Sequence, residues 1–308
     1  MRQSTKSKTF NSVRDIPPLN GKVILVTGGS SGLGKQSVLE FARHSPEKIW
    51  LASRSLAKAE AAAEEIRAQV PQAQVEPLVL DLASFSSIKT AAETVLAKSS
   101  RLDILMLNGG IMGVLPGLTS DGYEIQFGTN HMGHALLTKL LFPLLNKTAE
   151  DPTADVRIVV LSSYGHTMVG KGKFRFDALK TIAEDLGAYG RYYQSKLANV
   201  LWARQLARVY PQFTVAATHP GLVQTQLMDG ADGTPWAINV LAKVTSMFMA
   251  SVEDGARNQL WASVSKEVSS GEYYEPVGVR GKASSNGTDD VLAKRLWDWT
   301  EKELENFS

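Results

Sequence analysis

Tyr192 and Lys196 are the two residues whose types and spacing most directly suggest chemistry. They lie four positions apart at the start of a segment with a helical pattern, so their side chains share one face of a helix. A positive charge beside a phenol favours the phenolate, and the pair is therefore suited to deliver or remove a proton. An exposed helical pair without function is the alternative, because this spacing also arises by chance. None of the other seven tyrosines has a lysine four residues later.

A glycine-rich segment supplies a second candidate site directly after a short apolar run at 22–27. Gly28, Gly32 and Gly34 permit a tight turn and a close approach of the backbone to a ligand. The N–H groups at the start of the next helix, together with the helix dipole, favour a pyrophosphate. A plain strand-to-helix turn is the alternative, since the spacing differs from the common Gly-x-Gly-x-x-Gly. The candidate contacts are Gly28, Ser30, Ser31, Gly32, Leu33 and Gly34.

Polar residues and glycines also follow the next three apolar runs. Arg54 stands where an acidic residue would bind the ribose hydroxyls of NAD, and its guanidinium instead suits the 2′-phosphate of NADP. Asp81 is placed to accept from an adenine amino group, or else to cap the next helix. Asn108 and Gly109 would let the chain pass close to an adenosine, or would form a simple turn. Arg54 predicts NADP as the cofactor, with an unspecialised surface arginine as the alternative.

Short apolar runs alternate with helical patterns along the whole chain. Strands are predicted at 22–27, 49–53, 75–80, 102–107, 157–162, 213–218 and 272–276. Helices are predicted at 35–44, 56–69, 86–97, 122–145, 188–209, 253–265 and 289–305, with Pro143 as a possible early end of the fourth. Such alternation predicts an α/β fold with a parallel sheet, right-handed crossovers and helices on both faces.

Composition narrows the class of protein. The chain has 308 residues, 44% hydrophobic residues, a net charge of +2 and no cysteine. These values predict one domain at 21–308 behind an irregular arm at 1–20, in a soluble, cytoplasmic protein. A basic start before Asp15 leaves a mitochondrial presequence as a lesser alternative. The near-neutral charge argues against nucleic acid or anionic membranes as partners, no metal site is predicted, and disulfides and thiolate catalysis are excluded.

Two long connections, at 164–187 and 222–250, interrupt the alternation at the carboxyl ends of strands. Open α/β sheets bind their ligands at this edge, so the two segments are predicted to form a pocket insert and a lid. The lid is rich in large apolar side chains, which favour a lipophilic or aromatic substrate. Packing against the core, or against another copy in a homo-oligomer, is the alternative. These side chains are Leu222, Leu227, Met228, Trp236, Ile238, Leu241, Met247 and Phe248.

The motifs together resemble those of the short-chain dehydrogenases/reductases, in the family order and over residues 20–275. They are Thr27–Gly34, Asp81, Asn108–Gly110, Asn130, Ser163, Tyr192–Lys196 and His219–Thr225. The sequence at 192–199 is similar to the retinol-dehydrogenase-like branch, which includes WW-domain oxidoreductases and fungal reductases of secondary metabolism. The resemblance implies a single-domain Rossmann fold with a doubly wound, seven-stranded sheet.

The resemblance also implies a role for each candidate. Tyr192 is the general acid/base, and Lys196 lowers its pKa and binds the nicotinamide ribose. Ser163 polarises the substrate carbonyl, with its neighbour Ser162 as a rival. Asn130 would hold a water that connects Lys196 to solvent. Further cofactor contacts are implied at Lys139, Pro220, Gly221, Val223 and Thr225.

The expected reaction is the reversible, NADPH-linked reduction of a ketone or aldehyde. Ser31 precedes Gly32 where many NADP-dependent relatives carry a basic residue, so Arg54 alone supports NADP. A regulator that senses NADP(H) without turnover is one alternative. A dehydratase, an epimerase or a double-bond reductase on the same fold is another.

Overall fold

Seven parallel strands form the centre of the structure, a computed structural model that describes residues 7–221, 223 and 250–307. They are β1 (Val23–Thr27), β2 (Lys48–Ser53), β3 (Val75–Val79), β4 (Ile104–Leu107), β5 (Arg157–Leu161), β6 (Thr214–Thr218) and β7 (Glu272–Tyr274). Their order is β3-β2-β1-β4-β5-β6-β7. The chain runs outward from β1 and from β4 in opposite directions, which opens a crevice at the carboxyl ends of these strands. The predicted doubly wound sheet is confirmed.

Helices cover both faces of this sheet. They are α1 (Ser12–Asp15), α2 (Gly32–Ala42), α3 (Leu56–Gln69), α4 (Phe85–Lys98), α5 (Ile125–Phe127), α6 (Gly133–Ala149), α7 (Gly187–Val209), α8 (Val252–Val264) and α9 (Asp290–Glu303). Helices α2, α3 and α8 pack with Ile24 and Val26, whereas α4, α6, α7 and α9 pack with Leu25. Successive residues of a strand point to opposite faces, so one apolar strand supplies both layers. No helix in the described ranges has the length and apolar character needed to cross a bilayer.

The predicted helix at 122–145 is wrong in its continuity and in its end. The short helix α5 leads into a π-helical turn at Gly128–Met132, and α6 then continues to Ala149 with Pro143 inside it. Proline removes one helical hydrogen bond, but Leu144 and Leu145 on the following turn are buried in the core. This packing holds the helix together beyond the proline.

The arm before β1 is less irregular than expected. Phe10, Ile16 and Leu19 are buried in the same cluster as α2 and α8. Between them, the Asn11 side chain caps α1 by accepting from two of its backbone N–H groups. The short helix and its buried flanks attach the described part of the arm to the sheet.

A buried carboxylate at the start of the sheet generates a stability prediction. Asp103 accepts from the backbone N–H of Val23 at 3.0 Å, from Lys22 Nζ at 3.0 Å and from both Arg101 nitrogens at 2.7 and 2.8 Å. Burial raises the pKa of Asp103, but the bonds from Arg101, Val23 and Lys22 outweigh it, and the net pKa is lowered. Asp103→Asn should therefore lower the free energy of unfolding at pH 7 by about 3 kcal/mol.

The pH dependence of this loss follows from the lowered pKa. A carboxylate whose folded pKa lies below its unfolded value stabilises the protein above the unfolded pKa, and this contribution disappears as the pH falls through the folded pKa. Urea unfolding of wild type and Asp103→Asn should thus converge in acid. Asp298→Asn, which removes an exposed partner of Lys294, is the matched control and should change little. An equal loss at neutral and acid pH would contradict the assignment.

Candidate active site

The structure brings Ser163, Tyr192 and Lys196 together beyond the end of β5. Tyr192 and Lys196 lie on one face of α7, with Lys196 Nζ 5.7 Å from the centre of the Tyr192 ring. Ser163 begins the turn after β5, and its side chain hydrogen-bonds the Tyr192 phenol. The backbone N–H of Gly165 donates to Ser163 Oγ at 3.0 Å, which leaves the serine proton available to another acceptor. The predicted constellation is therefore present, and its catalytic roles stay predictions.

Three hydrogen bonds attach α7 to the end of β5. Lys196 Nζ and Asn199 Nδ2 both donate to the carbonyl of Leu161, each at 3.1 Å. In return, Ser162 Oγ donates to the carbonyl of Lys196 at 2.8 Å. Ser162 therefore holds the helix in place, and Ser163 is the serine that reaches the phenol.

Burial sets the protonation of both site residues on α7. It raises the pKa of Tyr192 to about 12, against the opposing effect of the Ser163 hydrogen bond. It also lowers the pKa of Lys196 to about 8. The loss of solvent around the phenol dominates its pKa in this structure, and the expected lowering by Lys196 stays a prediction. A phenol that stays protonated at neutral pH is an acid, as carbonyl reduction requires.

Asn130 lies in the π-helical turn and its side chain is fully engaged by the protein. Its Oδ1 accepts from the N–H of Ile111 at 2.8 Å. Its Nδ2 donates to the carbonyl of Ile111 at 3.0 Å and to Ser195 Oγ at 2.9 Å. A Cβ on Gly110 would lie 2.9 Å from Asn130 Oδ1 and 3.5 Å from Lys196 Nζ, so glycine is needed between them. Asn130 thus fixes the loop after β4 against α7, while its predicted water stays a prediction.

The glycine turn has the room and the donors that phosphates require. Gly28 has a positive φ of 65°, and a Cβ there would lie 2.9 Å from the Cα of Gly109. A Cβ on Gly34 would overlap the carbonyl of Gly28. Ser31 begins α2 without a side-chain cap, and the first N–H groups of the helix have no acceptor among the described residues. These features fit a dinucleotide with its pyrophosphate on the helix start.

The remaining predicted cofactor contacts have different surroundings. Arg54 is exposed and has no hydrogen bond or ion pair within the part of the chain that the structure describes. Asp81 Oδ1 accepts from the N–H of Ala83 at 2.9 Å, whereas Ser84 is the residue that caps α4. Lys139 Nζ is bound to Glu301 of α9 at 3.0 Å, so the structure does not bring its amine to the glycine turn.

The segment after β6 is described only in part. Gly221 has a positive φ of 87°, and the side chain of Val223 packs against Gly255 of α8. Pro220 lies between β6 and these residues. Thr225 and all of the predicted lid except positions 223 and 250 lie outside the described residues.

The insert at 164–187 lies beside the site and contains three short 3₁₀ turns. Gln194 of α7 accepts from the N–H of Arg175 at 2.8 Å, which anchors the insert next to Tyr192. The charge of Arg175 is paired with exposed aspartates. Tyr164 and Met168 are 50% and 53% exposed, so the insert presents apolar side chains next to Ser163.

Sequence reasoning did not find two buried polar residues at the site, Asn199, which bonds the end of β5, and His134, which bonds Thr27 and Asn130. Both are polar and buried on helices whose neighbouring positions are apolar. That pattern, a polar residue on the buried face of a predicted helix, is a signal the sequence contains. The hydrogen-bond partners of Asn199 and His134 include residues distant in sequence, which only the fold brings together.

Comparisons with known proteins identify the family. The family model of short chain dehydrogenases matches residues 22–180 of this chain. The chain therefore belongs to the short-chain dehydrogenase family and is an oxidoreductase of that family, whose members bind a nicotinamide dinucleotide.

Individual relatives extend the match beyond the family model. The chain is 37% identical to the short-chain dehydrogenase/reductase drtF of Aspergillus calidoustus, over 94% of this chain and 95% of that protein. It is also 37% identical to retinol dehydrogenase 13 of Homo sapiens, over 90% of this chain and 82% of that protein. The solved structure of an uncharacterized protein from Mycobacterium paratuberculosis is similar with a TM-score of 0.74 and 29% identity, over 96% and 98% of the two chains. The resemblance to fungal enzymes and retinol dehydrogenases is confirmed.

The two adjacent serines generate a test of the site. Ser163→Ala should lower the turnover number about 100-fold, because it removes a donor from the reacting oxygen. Ser162→Ala should lower the free energy of unfolding by about 1 kcal/mol, because one buried hydrogen bond to the Lys196 carbonyl is lost, and should affect turnover much less. Initial rates with a panel of ketones and urea unfolding measure the two effects. A larger rate loss in Ser162→Ala would reverse the assignment.

Proposed function

We propose that this protein is an NADP(H)-dependent reductase of ketones or aldehydes on lipophilic or aromatic small molecules, and that it oxidises the corresponding alcohols in reverse. The observation that carries the proposal is the contact between the Ser163 hydroxyl and the protonated phenol of Tyr192. Two neighbouring hydroxyl groups suit a carbonyl oxygen that gains negative charge during reduction, because both can donate to it.

The residues of this chain account for the proton in the reaction. Ser163 donates a hydrogen bond to the carbonyl oxygen, and Tyr192 transfers its phenolic proton to that oxygen. When bound, the cofactor supplies the hydride from its nicotinamide ring. The ammonium of Lys196, one helical turn from Tyr192, stabilises the phenolate left after the transfer. A sensor without turnover would not need this arrangement, and the conjunction of all three side chains disfavours that alternative.

The preference for NADP rests on Arg54. Its exposed guanidinium has no ion pair within the described ranges, and it stands directly after β2. Ser30 and Ser53, whose hydroxyl oxygens are 2.9 Å apart, join the glycine turn to that strand end. A 2′-phosphate next to this junction would accept charge-assisted hydrogen bonds from Arg54.

The nature of the substrate is inferred from exposed apolar side chains beside Ser163. Tyr164 and Met168 belong to the insert, and the half-exposed ring of Tyr193 lies against Gly165. Apolar groups grouped at a site favour an apolar ligand. The similarity to retinol dehydrogenase 13 supports a lipophilic alcohol or carbonyl compound. A role in secondary metabolism, a cytoplasmic location and a homo-oligomer stay predictions from the sequence.

Removal of the phenol tests the proton donor. Tyr192→Phe should lower the turnover number by about 10²–10⁴-fold and leave the Kd for NADPH nearly unchanged, because only the proton is lost. Tyr193→Phe is the matched control, since it removes the hydroxyl of the adjacent ring, and should retain most turnover. NADPH consumption with aromatic and aliphatic ketones measures the rate, and nucleotide fluorescence measures the Kd. Near-normal turnover of Tyr192→Phe would refute the mechanism.

Removal of the guanidinium tests the cofactor preference. Arg54→Ala should raise the Kd for NADPH by about 30-fold, the loss of a charge-assisted hydrogen bond, and should change the Kd for NADH little. Lys58→Ala removes another exposed positive charge four residues later and serves as the control. Equal effects of Arg54→Ala on both nucleotides would remove the preference for NADP.

A further inference from the structure

His134 is a buried histidine that neither the catalytic mechanism nor the cofactor assignment uses. We propose that it is a positioning residue that couples the nucleotide-binding turn to Asn130 through a continuous chain of hydrogen bonds. This inference rests on the proposed function, because the turn is expected to hold a dinucleotide. It adds a residue whose loss should weaken nucleotide binding without any contact between His134 and the nucleotide.

Both ring nitrogens of His134 have partners at hydrogen-bond distance. Nδ1 lies 3.0 Å from the carbonyl oxygen of Asn130, and Nε2 lies 2.9 Å from Thr27 Oγ1. A carbonyl only accepts, so Nδ1 carries the proton, Nε2 accepts and the Thr27 hydroxyl donates. Burial lowers the pKa of His134 to about 3, which keeps the ring neutral in this single tautomer.

The chain of bonds continues from Thr27 into the loop after β4. Thr27 Oγ1 accepts from the N–H of Gly109 at 2.9 Å. The donors therefore point in one direction, from Gly109 to Thr27, then to His134 and finally to the carbonyl of Asn130. Such aligned bonds strengthen one another in a low-dielectric interior. They join the end of β1, the loop after β4 and the π-helical turn.

The position of Thr27 decides the shape of the turn that follows it. Gly28 is the next residue, and a Cβ on Gly28 would already lie 2.9 Å from Gly109 Cα. Because the two backbones are this close, we expect small displacements of Thr27 or Gly109 to change the space that the glycine turn offers to a phosphate. On the other side, Gly133 lies so close to Leu82 that a Cβ there would overlap the Leu82 carbonyl, which leaves no space for the start of α6 to shift towards that loop.

A histidine that merely fills the core is the competing explanation. An apolar ring of similar size would fill the same space, but the Thr27 hydroxyl proton would then have only a long 3.5 Å contact with the carbonyl of Met106. His131, three residues earlier, provides an internal comparison. It is equally buried, but its Nε2 is bound to Thr300 of α9 and its ring also hydrogen-bonds Asn199 of α7, and neither contact involves the glycine turn.

Four substitutions separate the two bonds of His134. His134→Phe removes both, and Thr27→Val removes the hydroxyl between the ring and Gly109. His134→Gln places an acceptor near Thr27 and loses the bond to Asn130, whereas His134→Asn retains a donor to Asn130 and loses Thr27. His131→Phe is the matched control for the loss of a buried histidine.

The test measures the Kd for NADPH and the thermal unfolding of each full-length variant. We expect His134→Phe and Thr27→Val each to raise the Kd about tenfold, and the double variant to raise it no further, because both changes break one chain. His134→Gln and His134→Asn should each raise the Kd as well, because each interrupts the chain at one end. In the nucleotide-free protein, His134→Phe should also speed hydrogen exchange of the Gly109 amide. His131→Phe should lower the unfolding temperature and leave the Kd unchanged.

The outcomes distinguish this inference from the proposed function. A wild type that binds NADPH, together with an unchanged Kd in His134→Phe and Thr27→Val, would overturn the coupling alone. So would additive effects in the double variant, or equal Kd effects of His131→Phe and His134→Phe. If His134→Phe does not fold, Thr27→Val and His134→Gln decide the matter on the same measurements. A wild type that binds no NADPH would overturn the proposed function and the coupling with it.

Discussion

The attachment of helix α7 to the end of strand β5 is the interaction on which the site depends. The carbonyl of Leu161 accepts from Lys196 and Asn199, and Ser162 returns a bond to the Lys196 backbone. These bonds fix the rotation of the helix, so Tyr192 is held against the hydroxyl of Ser163. The end of a strand in a parallel sheet has carbonyls without a further strand partner. One of them, at Leu161, accepts the hydrogen bonds that position the site residues of α7.

Burial then decides which form each group takes. The same loss of solvent keeps the phenol of Tyr192 protonated, moves the pKa of Lys196 towards neutrality and keeps His134 uncharged. A neutral polar group can be buried with a hydrogen bond alone, whereas a buried charge also needs an opposite charge beside it. This explains how a site with several titratable groups fits between a sheet and two helices. Tyr192 and His134 are therefore each held in their neutral form at neutral pH.

Glycines set the distances within the site. Gly28, Gly34 and Gly110 stand where a single added carbon would contact the backbone or a polar side chain at less than ordinary van der Waals separation. Strands β1 and β4 are adjacent in the sheet, so the turns that follow them must share a narrow space. The absence of side chains lets two backbones and an extended ligand meet at the point where the sheet order reverses.

The sequence by itself determined the strands, the order of the motifs and the glycine turn, because periodicity and turn residues are local properties of a chain. Tertiary structure alone decided that Ser162 bonds the helix whereas Ser163 contacts the phenol, and that Lys139 pairs with Glu301. It also decided the continuation of α6 through Pro143 and the hydrogen bonds of His134. Each of these depends on a partner far away in sequence, or on how much water the fold removes. Neither the partner nor the solvent can be read from the residue that they affect.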